Sequence, residues 1–284
     1  MLNALIVVWR ESLEAMLVVG VLLAWIARQE DAPRLRRTLW SGVGGGTLLA
    51  VALAFLAYGA QTWLDGEGLE LFQIGMLLLA CVLMTQMVLW MRRHGASMKR
   101  ELEAGASRAA ETGGRLGVAL VAALAIGREG METVVFLYGM AAERPAGELV
   151  GLYAMAGLGF VIAALTAWAV ARGARFFSYR TVFRISEVVL LVTAGSLLGA
   201  AVDRLISIDQ LPTLMDMVWD TSFLVDDGSG LGKVLSTFAG YRAQPTAMLL
   251  LAYALYWGYV TLRLKRFTTN PAPRAESCQR KAVS

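Results

Sequence analysis

Windows of about 20 predominantly apolar residues recur along this 284-residue chain, the length a helix needs to cross the hydrocarbon core of a bilayer. Backbone polar groups find no water there, so each window must close its own hydrogen bonds as a helix. The pattern predicts spans near residues 2–27, 39–61, 70–91, 116–140, 148–171, 180–202 and 244–264. A hydrophobic share of 57% and a mean hydropathy of +0.57 exclude an ordinary soluble domain. The expected fold class is therefore an all-α polytopic membrane protein with seven transmembrane helices. The first window lacks a basic leading segment and carries RESLE at its centre, so it reads as a span and not as a signal peptide.

The connections sort by charge. Segments 28–37, 92–115, 172–184 and 263–284 together hold 20 Lys/Arg against 6 Asp/Glu; segments 62–70, 141–149 and 203–243 hold 4 against 11. The two classes alternate along the chain, which by the positive-inside rule places the N-terminus outside and the C-terminus in the cytoplasm. The net charge of +4 thus reflects membrane orientation, and no nucleic-acid partner is expected.

Few charges remain inside the spans: Arg10, Glu11 and Glu14 in the first, Arg128, Glu129 and Glu132 in the fourth, and Glu187 early in the sixth. The first two groups spell the same R-E-x-x-E, three spans apart. Units with an odd number of spans insert in opposite directions, so the repetition predicts a 3+3 inverted repeat plus one helix, an architecture that puts substrate sites near the midplane. Repeat one would cover 1–91, repeat two 116–202, the outer loop 203–243 and helix seven 244–264. Together, residues 1–267 would form the membrane domain, and 268–284 a polar, disordered cytoplasmic tail. The second span of each unit is rich in small residues, SGVGGGTLLAVALA at 41–54 and AMAGLGFVIAALTA at 154–167, which let helix backbones approach closely.

On a helix Arg10, Glu11 and Glu14 fall within roughly 100° of one another, as do Arg128, Glu129 and Glu132. Each arginine can pair with the glutamate four residues on, and the two glutamates of a motif can converge. Each such charge costs about 2.5–3.5 kcal/mol at a helix centre on insertion scales. Mutual pairing alone does not explain them, because two arginines face four glutamates and leave a charge of about −2, or about −3 with Glu187. The surplus calls for protons or a cation. Carboxylates are hard oxygen ligands and suit hard cations, while the arginines would keep them ionised and oriented. The single histidine, His94, sits in a basic loop, and Cys81 and Cys278 have no ligand spacing. Methionines such as Met16, Met76, Met84 and Met87 read as packing, and Trp9, Trp63, Trp90, Tyr241 and Trp257 as interface anchors.

RESLEA in the first span, REGMETVVFL in the fourth, and VWDTSFLVDDGSGLGKVLSTFAGYRAQPTAMLLLAYALYW at 218–257 together resemble the high-affinity iron permease family of fungi and bacteria. The resemblance covers nearly all seven spans. It implies iron import, as Fe3+ or Fe2+, across a plasma or cytoplasmic (inner) membrane, with Glu11, Glu14, Glu129 and Glu132 as the metal-handling residues and Arg10 and Arg128 in support. Iron would be a transported substrate, with no permanently bound cofactor. Fungal members work with a multicopper oxidase, and bacterial ones are accompanied by periplasmic iron-binding or peroxidase-like proteins, so a partner of that kind is implied. The family pattern has Glu-Gly early in the third span where this chain has Gln73, Ile74 and Gly75; Glu187 lies at the inverted position of the sixth span and is expected either to replace that carboxylate or to pair with Arg184.

Asp220 and Asp226 are candidate outer-loop iron contacts by resemblance; the acidic residues of that loop otherwise read as turn and cap formers. Two rival functions remain open: a permease for another metal cation such as Mn2+ or Pb2+, and an intramembrane carboxylate-metal enzyme. Di-iron enzymes built in helical bundles use Glu-x-x-His pairs, and no span holds a histidine.

Overall fold

In the computed structural model, the residues described are 2–94, 97–172, 179–215, 217–223, 232, 235–236 and 240–269. Among them are seven α-helices and a short 3-10 turn at Ala146–Glu148: α1 (Leu2–Ile26), α2 (Ala32–Trp63), α3 (Glu67–His94), α4 (Met98–Ala142), α5 (Leu149–Ala171), α6 (Tyr179–Ser207) and α7 (Ala247–Thr269). No strand occurs among the described residues. Five helices, α2, α3, α5, α6 and α7, are long and apolar enough to cross a membrane. The other two, α1 and α4, are the ones that carry R-E-x-x-E. The protein is a multi-pass membrane protein.

Burial divides the helices into inner and outer. About half of the apolar windows of α3 and α6 are buried (50% and 56%), against 17% and 22% for α2 and α5. The outer pair present Leu48, Phe55 and Leu56, and Val150, Phe160 and Leu165, to the surroundings. In water such a face would be a liability; in hydrocarbon it has no cost.

The second helices are exchanged: α2 packs along α4, and α5 along α1. Inside, α3 packs on α6 and α1 on α4. This set of pairings is unchanged when α1, α2 and α3 are swapped with α4, α5 and α6. The small residues picked out by the sequence make both exchanged contacts. A Cβ on Gly46 of α2 would sit 2.6 Å from the Ala123 carbonyl oxygen of α4, and one on Gly159 of α5 would sit 2.5 Å from the Leu5 carbonyl oxygen of α1. Only a hydrogen fits at either crossing.

One connection differs from the sequence expectation. Residues 92–115 read as a basic loop, but α4 already begins at Met98 and continues to Ala142, with a break at Gly114, whose φ of 55° and ψ of −134° are left-handed. The segment before the break is rich in Ala, Glu and Arg, strong helix formers. Its apolar side, Leu102, Ala106 and Ala110, packs against Leu22, Trp25 and Leu35. Trp25 Nε1 donates to Ser107 Oγ at 3.1 Å, and Arg28 pairs with Glu103 at 2.8 Å. Period-3.6 amphipathicity in charged sequence was the signal a hydropathy window averages away.

Candidate metal site

Both motifs lie mid-helix, where α1 and α4 pack together. Each closes the internal pair its spacing predicts: Arg10 Nε lies 3.1 Å from Glu14 Oε1, and Arg128 Nε donates to Glu132 Oε1 at 2.8 Å. Glu11, Glu14, Glu129 and Glu132 are all buried.

Across the helix pair, Glu11, Glu129 and Glu132 each offer a carboxylate oxygen within 4.8 Å of the other two. Oxygens bound to one hard cation at about 2.0–2.4 Å are at most roughly 4–5 Å apart, so the trio stands at the outer limit of that range. Among the described residues, neither oxygen of Glu11 has a hydrogen-bond partner, nor does Oε2 of Glu129 or of Glu132. Buried polar oxygens without donors are rare, and converging ones are those a cation would satisfy. Glu14, ion-paired with Arg10, lies outside the trio that meets within 4.8 Å, but its charge still acts on Glu11 and Glu129, and its Oε1 likewise makes no hydrogen bond among the described residues.

The surroundings of the two motifs differ. Arg10 is completely buried, and among the described residues its nitrogens make no hydrogen bond, Glu14 being its ion-pair partner. The side chain of Arg128 is 47% exposed. It faces a groove of about 520 Å3 between α2, α3 and α4, walled by Leu53, Leu56, Phe72 and Met76, and its guanidinium lies 5.2 Å over the ring of Trp90. Trp90, read from sequence as an interface anchor, is thus a cation-π partner of the motif. Nothing in its local sequence marks that role, because the contact joins residues on different helices.

Gln73 and Glu187 are not brought to the carboxylates. Gln73 accepts a hydrogen bond from Arg204, which also binds the Ala142 carbonyl, tying α3, α4 and α6 together at one end. Glu187 pairs with Arg92, not with Arg184, at 2.7 Å, and ties α3 to α6 at the other end. The two contacts occupy corresponding places under the helix exchange. A polar group early in one inner helix meets an arginine late in the other.

Beyond the Arg204 end lies a polar cavity of about 190 Å3 lined by Glu143, Ser196, Asp203, Arg204, Ser236 and Arg242. Arg242 binds Asp203 at 2.8 Å and donates to Ser236 at 2.7 Å. Burial pushes the Glu143 carboxyl up to about 7, against the opposing pull of Arg242, Arg144 and Arg204. Sequence reading passed over Glu143, because in AAERPAG it looks like an ordinary loop acid.

Asp220 accepts from the Ser222 hydroxyl at 2.5 Å, the Ser222 backbone at 2.8 Å and Gln244 at 3.0 Å, and these bonds hold its carboxyl below the usual range. They build a local turn against the start of α7. Asp226 lies outside the described residues.

Residues 1–269 match the Iron permease FTR1 family. The chain belongs to that family. Its relatives include proteins named ferrous iron permease EfeU: one from Yersinia pestis, 28% identical over 253 residues covering 88% of each chain, and one from Escherichia coli O6:H1, 27% identical over 258 residues covering 88% of this chain and 90% of the relative. No solved structure matches the chain. Membership of an iron permease family supports iron transport as the coarse function, with iron as substrate rather than cofactor. It gives the buried carboxylate trio of this permease a chemical context that the geometry alone leaves general.

Proposed function

We propose that the chain imports iron as Fe2+ through a site formed by Glu11, Glu129 and Glu132, in a seven-span protein of the inner membrane with its N-terminus outside. The observation that carries this reading is the approach of three carboxylate oxygens, from two copies of one motif, within 4.8 Å of one another in the middle of the helix pair. Charge supports the oxidation state. Arg10 and Glu14 neutralise each other, and Arg128 offsets one charge of the trio, leaving about −2, which one divalent cation balances. The relatives' name, ferrous iron permease, agrees.

Between ions the surplus charge is held by protons, so iron entering the trio displaces them and the site never carries a bare double charge in a medium of low dielectric. Carboxylates bind Fe2+ without the grip of thiolates or imidazoles, which suits a cargo that must leave. The exchange symmetry of the helix pairings supports an inverted repeat, with residues 1–91 and 116–202 as its units. The Gln73–Arg204 and Glu187–Arg92 contacts at opposite ends of α3 and α6 are ties that would open in turn as one unit rocks against the other.

The test is radio-iron uptake into proteoliposomes, with iron offered as Fe2+ under ascorbate or as chelated Fe3+. Wild type should take up Fe2+, and Glu11→Gln, Glu129→Gln and Glu132→Gln should each lose at least about 90% of the rate, since each removes one of three ligand charges. Variants that match wild type would make the trio structural. Preference for chelated Fe3+ would overturn the oxidation state, and faster uptake of Mn2+ than of iron would overturn the cargo.

A further inference from the structure

Away from the motifs, α3 and α7 run side by side and leave between them a groove of about 590 Å3. Its α3 wall is Val82, Gln86, Leu89, Trp90 and Arg93, and its α7 wall is Tyr256, Tyr259 and Arg263. Spacings of three, four and seven residues put each set on a single helix face. Each stripe begins mid-helix with apolar or aromatic residues and ends, at the same mouth, in an arginine.

We propose that this groove binds an anionic phospholipid, with an acyl chain lying along the stripes and the headgroup phosphate held between Arg93 and Arg263. Three observations lead there. The first is depth: from Cys81 at the closed end to Arg93 at the mouth is twelve residues, about 18 Å of helix, against roughly 15 Å for the hydrocarbon half-thickness of a bilayer. The stripe therefore spans one leaflet and sets its arginines at phosphate level.

The second is where polar capacity is left over. On the floor, Thr85 Oγ1 donates to the Cys81 carbonyl at 2.8 Å and Tyr256 OH to the Leu191 carbonyl at 2.9 Å, and the two hydroxyls lie 3.2 Å apart. The floor asks nothing of a ligand. At the mouth, no carboxylate among the described residues pairs with Arg93 or Arg263, whereas neighbouring Arg92 is committed to Glu187. Arg263 lies 5.7 Å over Tyr259 and keeps its guanidinium edge for an acceptor. Gln86, seven residues before Arg93 on the same stripe, is exposed on a wall that otherwise faces hydrocarbon, where its amide can donate to a glycerol-ester oxygen.

The third is charge. Two guanidinium groups without a carboxylate partner among the described residues, set over an apolar slot, select a phosphate with net negative charge over a zwitterionic one, and planar guanidinium forks match phosphate oxygens. The ring of Trp90 that forms one wall also lies under Arg128 of the fourth-helix motif, so a chain seated in the groove touches the residue that orients that arginine.

The full-length protein, reconstituted in phosphatidylcholine vesicles, can be titrated with phosphatidylglycerol or phosphatidylcholine brominated on the acyl chains, following tryptophan fluorescence; subtracting the same titration of Trp90→Phe isolates Trp90. Brominated phosphatidylglycerol should quench Trp90 at about tenfold lower mole fraction than brominated phosphatidylcholine, and the double variant R93Q/R263Q should quench equally with both. Equal quenching of wild type by the two lipids would overturn the proposal without recourse to any variant. A phosphatidylglycerol preference that survives in R93Q/R263Q would place the anion elsewhere, and protection of Trp90 from both lipids would show the groove covered by protein.

Discussion

The same five-residue pattern occurs twice in this protein, in two different environments. Around Arg10 it is sealed: the arginine is fully buried, and α1 is flanked by α4, α5 and α6. Around Arg128 it is open: nearly half the side chain is exposed to the groove between α2, α3 and α4, with Trp90 under the guanidinium. Local spacing fixes the internal Arg–Glu pair in both copies. What surrounds the pair decides whether it is a fixed part of the core or one able to rearrange, and a rearranging pair is what the proposed ion path would need at one side.

Removing the sealed arginine should give the largest effect. R10Q leaves Glu14 buried without its partner, a loss of about 3–5 kcal/mol, whereas R128Q removes a half-exposed arginine and leaves Glu132 room to reorient toward the groove, so it should cost less. Melting in detergent checks this; equal losses would erase the contrast. The next effect concerns the crossings that hold each copy in place. G46A on the α4 side and G159A on the α1 side each push a methyl into a backbone carbonyl and should each lower stability by about 1–3 kcal/mol, detected as a lower melting temperature. A loss at only one crossing would mean the exchange symmetry does not extend to energetics.

The helix ends sharpen the comparison further. The α1 end carries the exposed Arg28–Glu103 pair, worth about 1 kcal/mol at most. Glu143, at the α4 end, is part-buried, and desolvation raises its carboxyl to about 7. Because its folded value lies above its unfolded one, the native state holds the extra proton between about pH 4.5 and 7 and loses stability as pH rises through that window. E143Q should therefore melt like wild type near pH 5 and higher than wild type at pH 8, by an amount on the order of 2 kcal/mol. A pH-independent difference between the two would remove Glu143 from the titration. The smallest effect should come from W90F, which keeps a ring under Arg128 but a weaker one: about 0.5 kcal/mol, and none in an R128Q background, read as a double-mutant cycle.

Much of this was legible in the sequence. Apolar windows and small-residue stripes rest on rules of period and composition, so they anticipated seven helices and the close crossings of α2 and α5. The internal pairs Arg10–Glu14 and Arg128–Glu132 follow from a four-residue step on a helix. The helix preceding Gly114 was missed because its signal is amphipathic, and the roles of Glu143 and Trp90 because their partners are far away in sequence.

The sequence by itself determined the composition of the candidate site, four carboxylates and two arginines at fixed helical spacing, since the spacing within each motif is internal to one helix. Only the tertiary structure decided that Glu11 comes within 4.8 Å of Glu129 and Glu132, that Glu187 and Gln73 serve as ties between α3 and α6, and that one motif is sealed and the other open. Those outcomes depend on how two helices are rotated and set in depth against each other, and that is fixed by packing over the whole interface, to which no single motif holds the key.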